Sequence, residues 1–248
     1  MRPKQAAGVA VAGQGNQHMA REPKSEADED LAQVVTGHGP CTYLLLALLA
    51  LILVYPYLKD GIASRTTLGV LYSLILLGGA YAVDRSRRAF ILGFSLAIMG
   101  VALQWTWLLT RSLGVGRFAV VTYVAFLVLT IVEVLRYILK KGPITADKLH
   151  GALAGYIMLA FLFAFIYAMT ETLTPGSFSF GHFDQMDSAA FFHLLYFSFT
   201  TLTTTGYGDI TPLTDQARSF VIIEEFTGVF FVGVLIARLA GLYPPQKR

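Results

Sequence analysis

The run Thr203-Thr204-Thr205-Gly206-Tyr207-Gly208-Asp209 sets two glycines around one aromatic residue, directly after a short apolar stretch. Main-chain carbonyls from such a run can replace the water around a dehydrated alkali cation, provided that several copies face one axis. For the carbonyls to point one way the backbone must alternate in conformation. Residues with a Cβ resist that alternation, so Gly206 and Gly208 suit the task. On this reading the carbonyls of Thr204, Thr205, Gly206 and Tyr207 form the ion sites, and the Thr204 hydroxyl adds the innermost ring. The Tyr207 side chain must then turn away from the axis toward the preceding helix, where Tyr196 and Phe197 offer aromatic surface. A polar surface turn also uses Gly and Asp, but it explains neither the short apolar stretch nor the glycine spacing.

Such a run needs elements to hold it, and the composition says which. Of 248 residues, 55 % are apolar and 14 % charged, against about 25 % charged in ordinary soluble domains. The mean hydropathy is +0.59. Cys41 is the only cysteine, which excludes an internal disulfide and a cysteine metal cage. No metal-ligand spacing, nucleophile–base set or phosphate loop stands out, so neither an enzyme, a cofactor nor a structural metal is expected. A bilayer core of ~30 Å needs about 20 apolar residues as helix. Five stretches meet that and a sixth carries some polar residues, giving six expected spans: Cys41 to Leu58, Thr67 to Val83, Ala89 to Thr110, Phe118 to Leu139, Leu149 to Met169 and Ala217 to Leu239. The run Ser188 to Leu202 is too short to cross and reads as a re-entrant helix. Its C-terminus would aim partial negative charge inward.

Charge sets the orientation. With six spans, fourteen Lys and Arg fall on one face and five on the other, so both termini are expected in the cytoplasm. The segment before the last span is then external and carries Glu171, Asp184, Asp187, Asp209 and Asp215, an acidic mouth that concentrates cations. Residues 1–40 read as a disordered cytoplasmic tail. No secretory signal is expected at their start. Residues 41–139 form a four-helix unit, 140–148 a basic linker that suits anionic lipid, and 149–239 a pore unit. Residues 240–248 read as a short tail, with no room for a nucleotide- or calcium-binding domain. The small net charge of +3 gives no footprint for nucleic acid.

The residues Thr204-Thr205-Gly206-Tyr207-Gly208-Asp209 resemble the selectivity-filter signature of potassium channels, and Phe197-Ser198-Phe199-Thr200-Thr201-Leu202 resembles their pore helix. With the preceding spans, the chain looks like a small bacterial six-transmembrane channel of the voltage-gated-like superfamily. The resemblance implies an all-α membrane protein: six transmembrane helices, a re-entrant pore helix and filter between helices five and six, and a homotetrameric pore in the plasma membrane. It implies passive conduction of K+ bound by the carbonyls of residues 204–208, with Tyr196, Phe197, Thr200 and Asp209 supporting the filter. Relatives usually carry Val or Ile where Thr205 stands. Some carry an acid at the position of Thr200 that bonds the Asp after the filter; here a Thr200–Asp209 contact, direct or through water, would be the weaker counterpart. The alternatives are a potassium-transporter subunit, which would need several pore loops in one chain, and a non-selective cation channel. A separate regulatory subunit is compatible with either.

Gly228 lies twenty residues past Gly208, the spacing of the family's gating hinge; close helix packing is the other reading, and Gly233 is a rival hinge. Glu224 and Glu225 are intramembrane carboxyls and therefore functional candidates. By register with Gly228, Glu225 is expected near the filter base or pore helix, with Glu224 about 100° away. One of them would bond the pore-helix threonines and keep its proton, or else is simply a packed neutral acid. The fourth span has no basic residue between Arg117 and Arg136, whereas a sensor repeats Arg or Lys at every third position. Weak voltage dependence is expected.

Overall fold

The computed structural model describes residues 39–57, 62–82, 87–110, 112–140, 145–181 and 190–240. The helices are α1 (Pro40–Val54), continued by a 3-10 turn (Tyr55–Tyr57), α2 (Ile62–Ala82), α3 (Arg87–Thr110), α4 (Leu113–Leu139), α5 (Ala146–Leu173), α6 (Ala190–Leu202) and α7 (Asp215–Ala240). Two-residue strands β1 (Phe178–Ser179) and β2 (Thr211–Pro212) pair antiparallel, Phe178 opposite Pro212 and Ser179 opposite Thr211. Among the described residues five helices are long and apolar enough to cross a membrane, namely α1, α3, α4, α5 and α7. The remaining expected crossing falls on α2, a 21-residue helix of which several side chains lie outside the described set. Residues 1–38 and 241–248 of the expected tails, residues 141–144 of the basic linker, and Asp184, Asp187 and Ser188 lie outside the described residues.

The spanning helices start earlier than their apolar stretches, and α5 and α4 are instructive. At α5 the Thr145 hydroxyl accepts a hydrogen bond from the Lys148 N–H, a cap that satisfies one of the donors a helix leaves open at its start. Asp147 and Lys148 are buried there rather than left in a linker. Asp147 Oδ1 accepts the Cys41 N–H at 3.0 Å and Oδ2 accepts the Tyr137 hydroxyl at 3.0 Å. One carboxylate therefore ties the beginnings of α1 and α5 to the end of α4. At α4 the helix runs from Leu113 and takes in Arg117 as an exterior residue near its first turn.

Leu44, Leu48 and Leu51 of α1, Phe126 and Val134 of α4, and Ala154, Met158 and Phe161 of α5 form the centre of the main core. A second core of Phe163, Tyr167, Phe178, Leu194, Phe197 and Ile210 lies where α5, α6 and the strands meet. At the other end of the molecule the Lys140 carbonyl accepts hydrogen bonds from Lys148 Nζ (3.3 Å) and Arg238 Nη2 (2.9 Å), joining the end of α4 to the end of α7.

Candidate functional site

The site begins at the C-terminal end of α6, where the last carbonyls of a helix lack partners inside it. Here the following chain supplies them. The Thr203 N–H donates to Phe199 O at 3.1 Å, Thr204 N–H to Thr201 O at 2.8 Å, and the Thr205 and Gly206 N–H groups both donate to Thr200 O, at 2.8 and 3.1 Å. Tyr156 of α5 donates its hydroxyl to Leu202 O at 3.0 Å. The chain leaves this knot with φ of +58° at Thr204, +53° at Gly206 and +77° at Gly208. Every second residue is thus left-handed. The glycines accept this freely, while Thr204 does so at a cost of roughly 1–2 kcal/mol. The sequence reading assigned the alternation to the two glycines alone. Stepping the same period back from Gly206 reaches Thr204, the signal that finds it. Residues 203–208 are all exposed in the single chain.

Side chains brace this strand from behind. The Tyr207 ring stacks on Tyr196, centroids 6.3 Å apart and planes 4° from parallel. Tyr196 donates its hydroxyl to Asp209 Oδ2 at 2.8 Å, and Asp209 Oδ1 accepts the Ile210 N–H at 3.0 Å. Hydrogen bonding to Asp209 holds the Tyr196 phenol above its usual range. Thr200 makes no direct bond to Asp209: it gives its hydroxyl to Phe197 O at 2.9 Å, and Tyr196 is the side chain that donates to Asp209. Phe197 does not reach Tyr207 either. One residue beyond Tyr196, it points about 100° away and packs on Tyr167 and Phe178, at 5.4 and 5.8 Å between ring centroids. The Thr205 hydroxyl finds the Thr203 hydroxyl at 2.9 Å.

The outer turn is fixed by backbone. The β1–β2 pair is extended by the Leu213 N–H donating to Ser177 O at 2.8 Å. The Glu171 carboxylate accepts the Gly176 N–H (2.7 Å) and the Phe178 N–H (3.0 Å). Glu171, expected in the acidic mouth, is therefore engaged in holding the turn.

The register expected for the two glutamates is reversed. Glu224 is fully buried and Glu225 is exposed. Glu224 contacts Tyr167 Oη and Ser198 Oγ, a serine of α6 and not one of its threonines. The reason is the helical period: Glu224 lies four residues from Gly228 and shares its face, and that face meets α6. A Cβ at Gly228 would stand 2.3 Å from the Leu202 carbonyl oxygen, whereas one at Gly233 would meet nothing within 4 Å. Gly228 therefore packs closely on the end of α6, and α7 runs through it as unbroken helix. On α4, Glu133 is buried and paired with Arg136, whose side chain is 70 % exposed. Among the described residues no group of three or more His, Cys, Asp or Glu is placed to hold a metal ion.

Residues 155–243 match a family model described as ion channel. That stretch contains most of α5, all of α6, the alternating strand and α7. Over 83 residues the chain is 32 % identical to two-pore potassium channel 4 of Arabidopsis thaliana, covering 34 % of this chain and 29 % of that protein. It is 40 % identical over 55 residues to probable potassium channel protein 2 of Methanocaldococcus jannaschii, covering 22 % of this chain and 16 % of that protein. Over 49 residues it is 45 % identical to the hyperpolarization-activated voltage-gated potassium channel of the same organism, 20 % of this chain and 22 % of that protein. The chain thus spans less than a third of the length of these relatives. No solved structure matches it. The comparisons point to a channel rather than an enzyme.

Proposed function

We propose that this chain is one subunit of a potassium-selective channel, in which four copies surround a pore and residues 204–208 form the filter. The observation that carries the reading is the left-handed backbone at Thr204, Gly206 and Gly208, directly after a short apolar helix and inside the segment matched to ion channels. Alternation turns successive carbonyls of Thr204, Thr205, Gly206 and Tyr207 to one side, and a ring of four such strands replaces the hydration of K+. One strand alone supplies a quarter of each ring, so the site requires further copies. The exposed Ile222, Phe226, Val229 and Phe230 of α7 give those copies surface to pack on. In this proposal Tyr196, Asp209 and the Thr200 carbonyl brace the filter, α2 is the sixth crossing, and both termini are cytoplasmic.

Purified protein in planar bilayers tests it. A reversal potential near the K+ equilibrium value under opposed K+ and Na+ gradients is expected. A reversal near zero would indicate a non-selective pore, and a bilayer that stays ion-tight would end the proposal.

A further inference from the structure

The proposed conduction path makes no use of the fully buried carboxyl of Glu224. Two oxygen–oxygen contacts meet at it, Tyr167 Oη with Glu224 Oε2 and Ser198 Oγ with Glu224 Oε1, and a third continues from Ser198 Oγ to the Ala160 carbonyl oxygen at 2.9 Å. Tyr167 and Ala160 belong to α5, Ser198 to α6 and Glu224 to α7, so the cluster joins all three helices around the proposed filter. A hydroxyl carries one hydrogen and a carbonyl oxygen carries none. Ser198 therefore cannot donate to both of its neighbours. With a carboxylate, two hydrogens would serve three contacts, and one contact would be a repulsive pair of oxygens. With a carboxylic acid every contact holds one hydrogen. Tyr167 donates to Oε2, Glu224 donates from Oε1 to Ser198 Oγ, and Ser198 donates to Ala160 O.

The surroundings agree. Among the described residues the ion pairs are Glu133–Arg136 and Asp215–Arg218, neither involving Glu224. The groups touching it are Tyr167 on α5 and Ser198 on α6; Tyr156 of α5 bonds the Leu202 carbonyl, one turn past Ser198 on α6, and Glu225 follows Glu224 on α7 and is exposed. An unpaired charge buried among these groups would be costly. The registers also match. Glu224 meets Ser198, and four residues on in each helix Gly228 meets Leu202, so α6 and α7 are locked at two points one turn apart.

We propose that Glu224 is a positioning residue, held as a neutral carboxylic acid, that pins the middle of α6 to α5 and α7 and so sets the place of residues 204–208. This rests on the channel reading above. The full-length protein in lipid vesicles tests it. Infrared difference spectra between wild type and Glu224→Gln are expected to show a protonated-carboxyl stretch that the variant lacks; its absence from wild type at neutral pH overturns the neutral acid. Glu224→Gln keeps a donor for Ser198 and an acceptor for Tyr167, and is expected to hold the wild-type K+/Na+ permeability ratio; a collapse in this variant also counts against the neutral acid. Glu224→Leu removes both contacts and is expected to lower the ratio about tenfold. Tyr167→Phe removes one contact and is expected to lower it roughly threefold, and Ser198→Ala removes two and is expected to lower it roughly three- to tenfold, which keeps the test open where Glu224→Leu does not assemble. Unchanged ratios in the serine and tyrosine variants overturn the positioning role. Wild-type protein without K+ flux overturns the channel reading, while the infrared result on the same sample still decides the state of Glu224.

Discussion

Gly206 sits at φ +53° with no atom within 4 Å of where a Cβ would be, so backbone handedness and not crowding makes glycine necessary there. Gly206→Ala places an L side chain in the left-handed region at roughly 1–2 kcal/mol per chain, too little to unfold the protein but enough to turn the carbonyls. Loss of K+ current with intact assembly on native gels is the expected outcome. Unchanged current would count against the filter assignment. Tyr196 and Thr200 offer a contrast at the same scale. Tyr196→Phe deletes the donor to Asp209 while keeping the stack on Tyr207, and faster decay of current during sustained conduction is expected. Thr200→Val removes a hydroxyl spent on its own helix and should change the decay far less. Equal effects of the two would show that the Asp209 bond does not brace the strand.

Two helices packed at one glycine set the element scale. The 2.3 Å separation between a Cβ at Gly228 and the Leu202 carbonyl means that α6 can approach α7 only where the side chain is absent. Gly228→Ala forces the helices apart at a cost of about 1–3 kcal/mol. The melting temperature of the detergent-solubilised protein should fall, and K+ flux with it. Gly233→Ala meets open space and should leave melting within error of wild type. The reverse ranking would restore a hinge at Gly228 and remove the packing argument.

For the whole molecule the issue is what the membrane field can move. A charge carried across 100 mV supplies about 2.3 kcal/mol, and steep gating needs three or four charges per subunit. The α4 helix has nothing basic between Arg117 and Arg136, and Arg136 is already paired with Glu133 near its end. A shallow conductance–voltage relation is expected, with Arg136→Gln leaving its midpoint and slope in place. A steep relation that this variant flattens would make α4 a sensor after all. The best apolar stretch of α7 is 17 % buried in one chain, against 61 % for α5. Cross-linking in vesicles is expected to stop at four copies, because the proposed rings need four strands.

Composition and periodicity were enough to read the apolar helices, the short helix before residue 203 and the glycine spacing of the strand, because each is a local property of a chain in lipid. Lipid forbids open backbone, so an apolar stretch of the right length leaves few options. The partners of Glu224, Asp209 and Gly228 were not legible in this way. Which glutamate faces inward depends on where α6 docks, and Tyr196 wins Asp209 from Thr200 through the rotation of one helix against the strand beyond it. Register between helices far apart in sequence, such as Ser198 against Glu224 and Leu202 against Gly228, is settled by side chains meeting across the packed interface. No window of neighbouring residues contains that information.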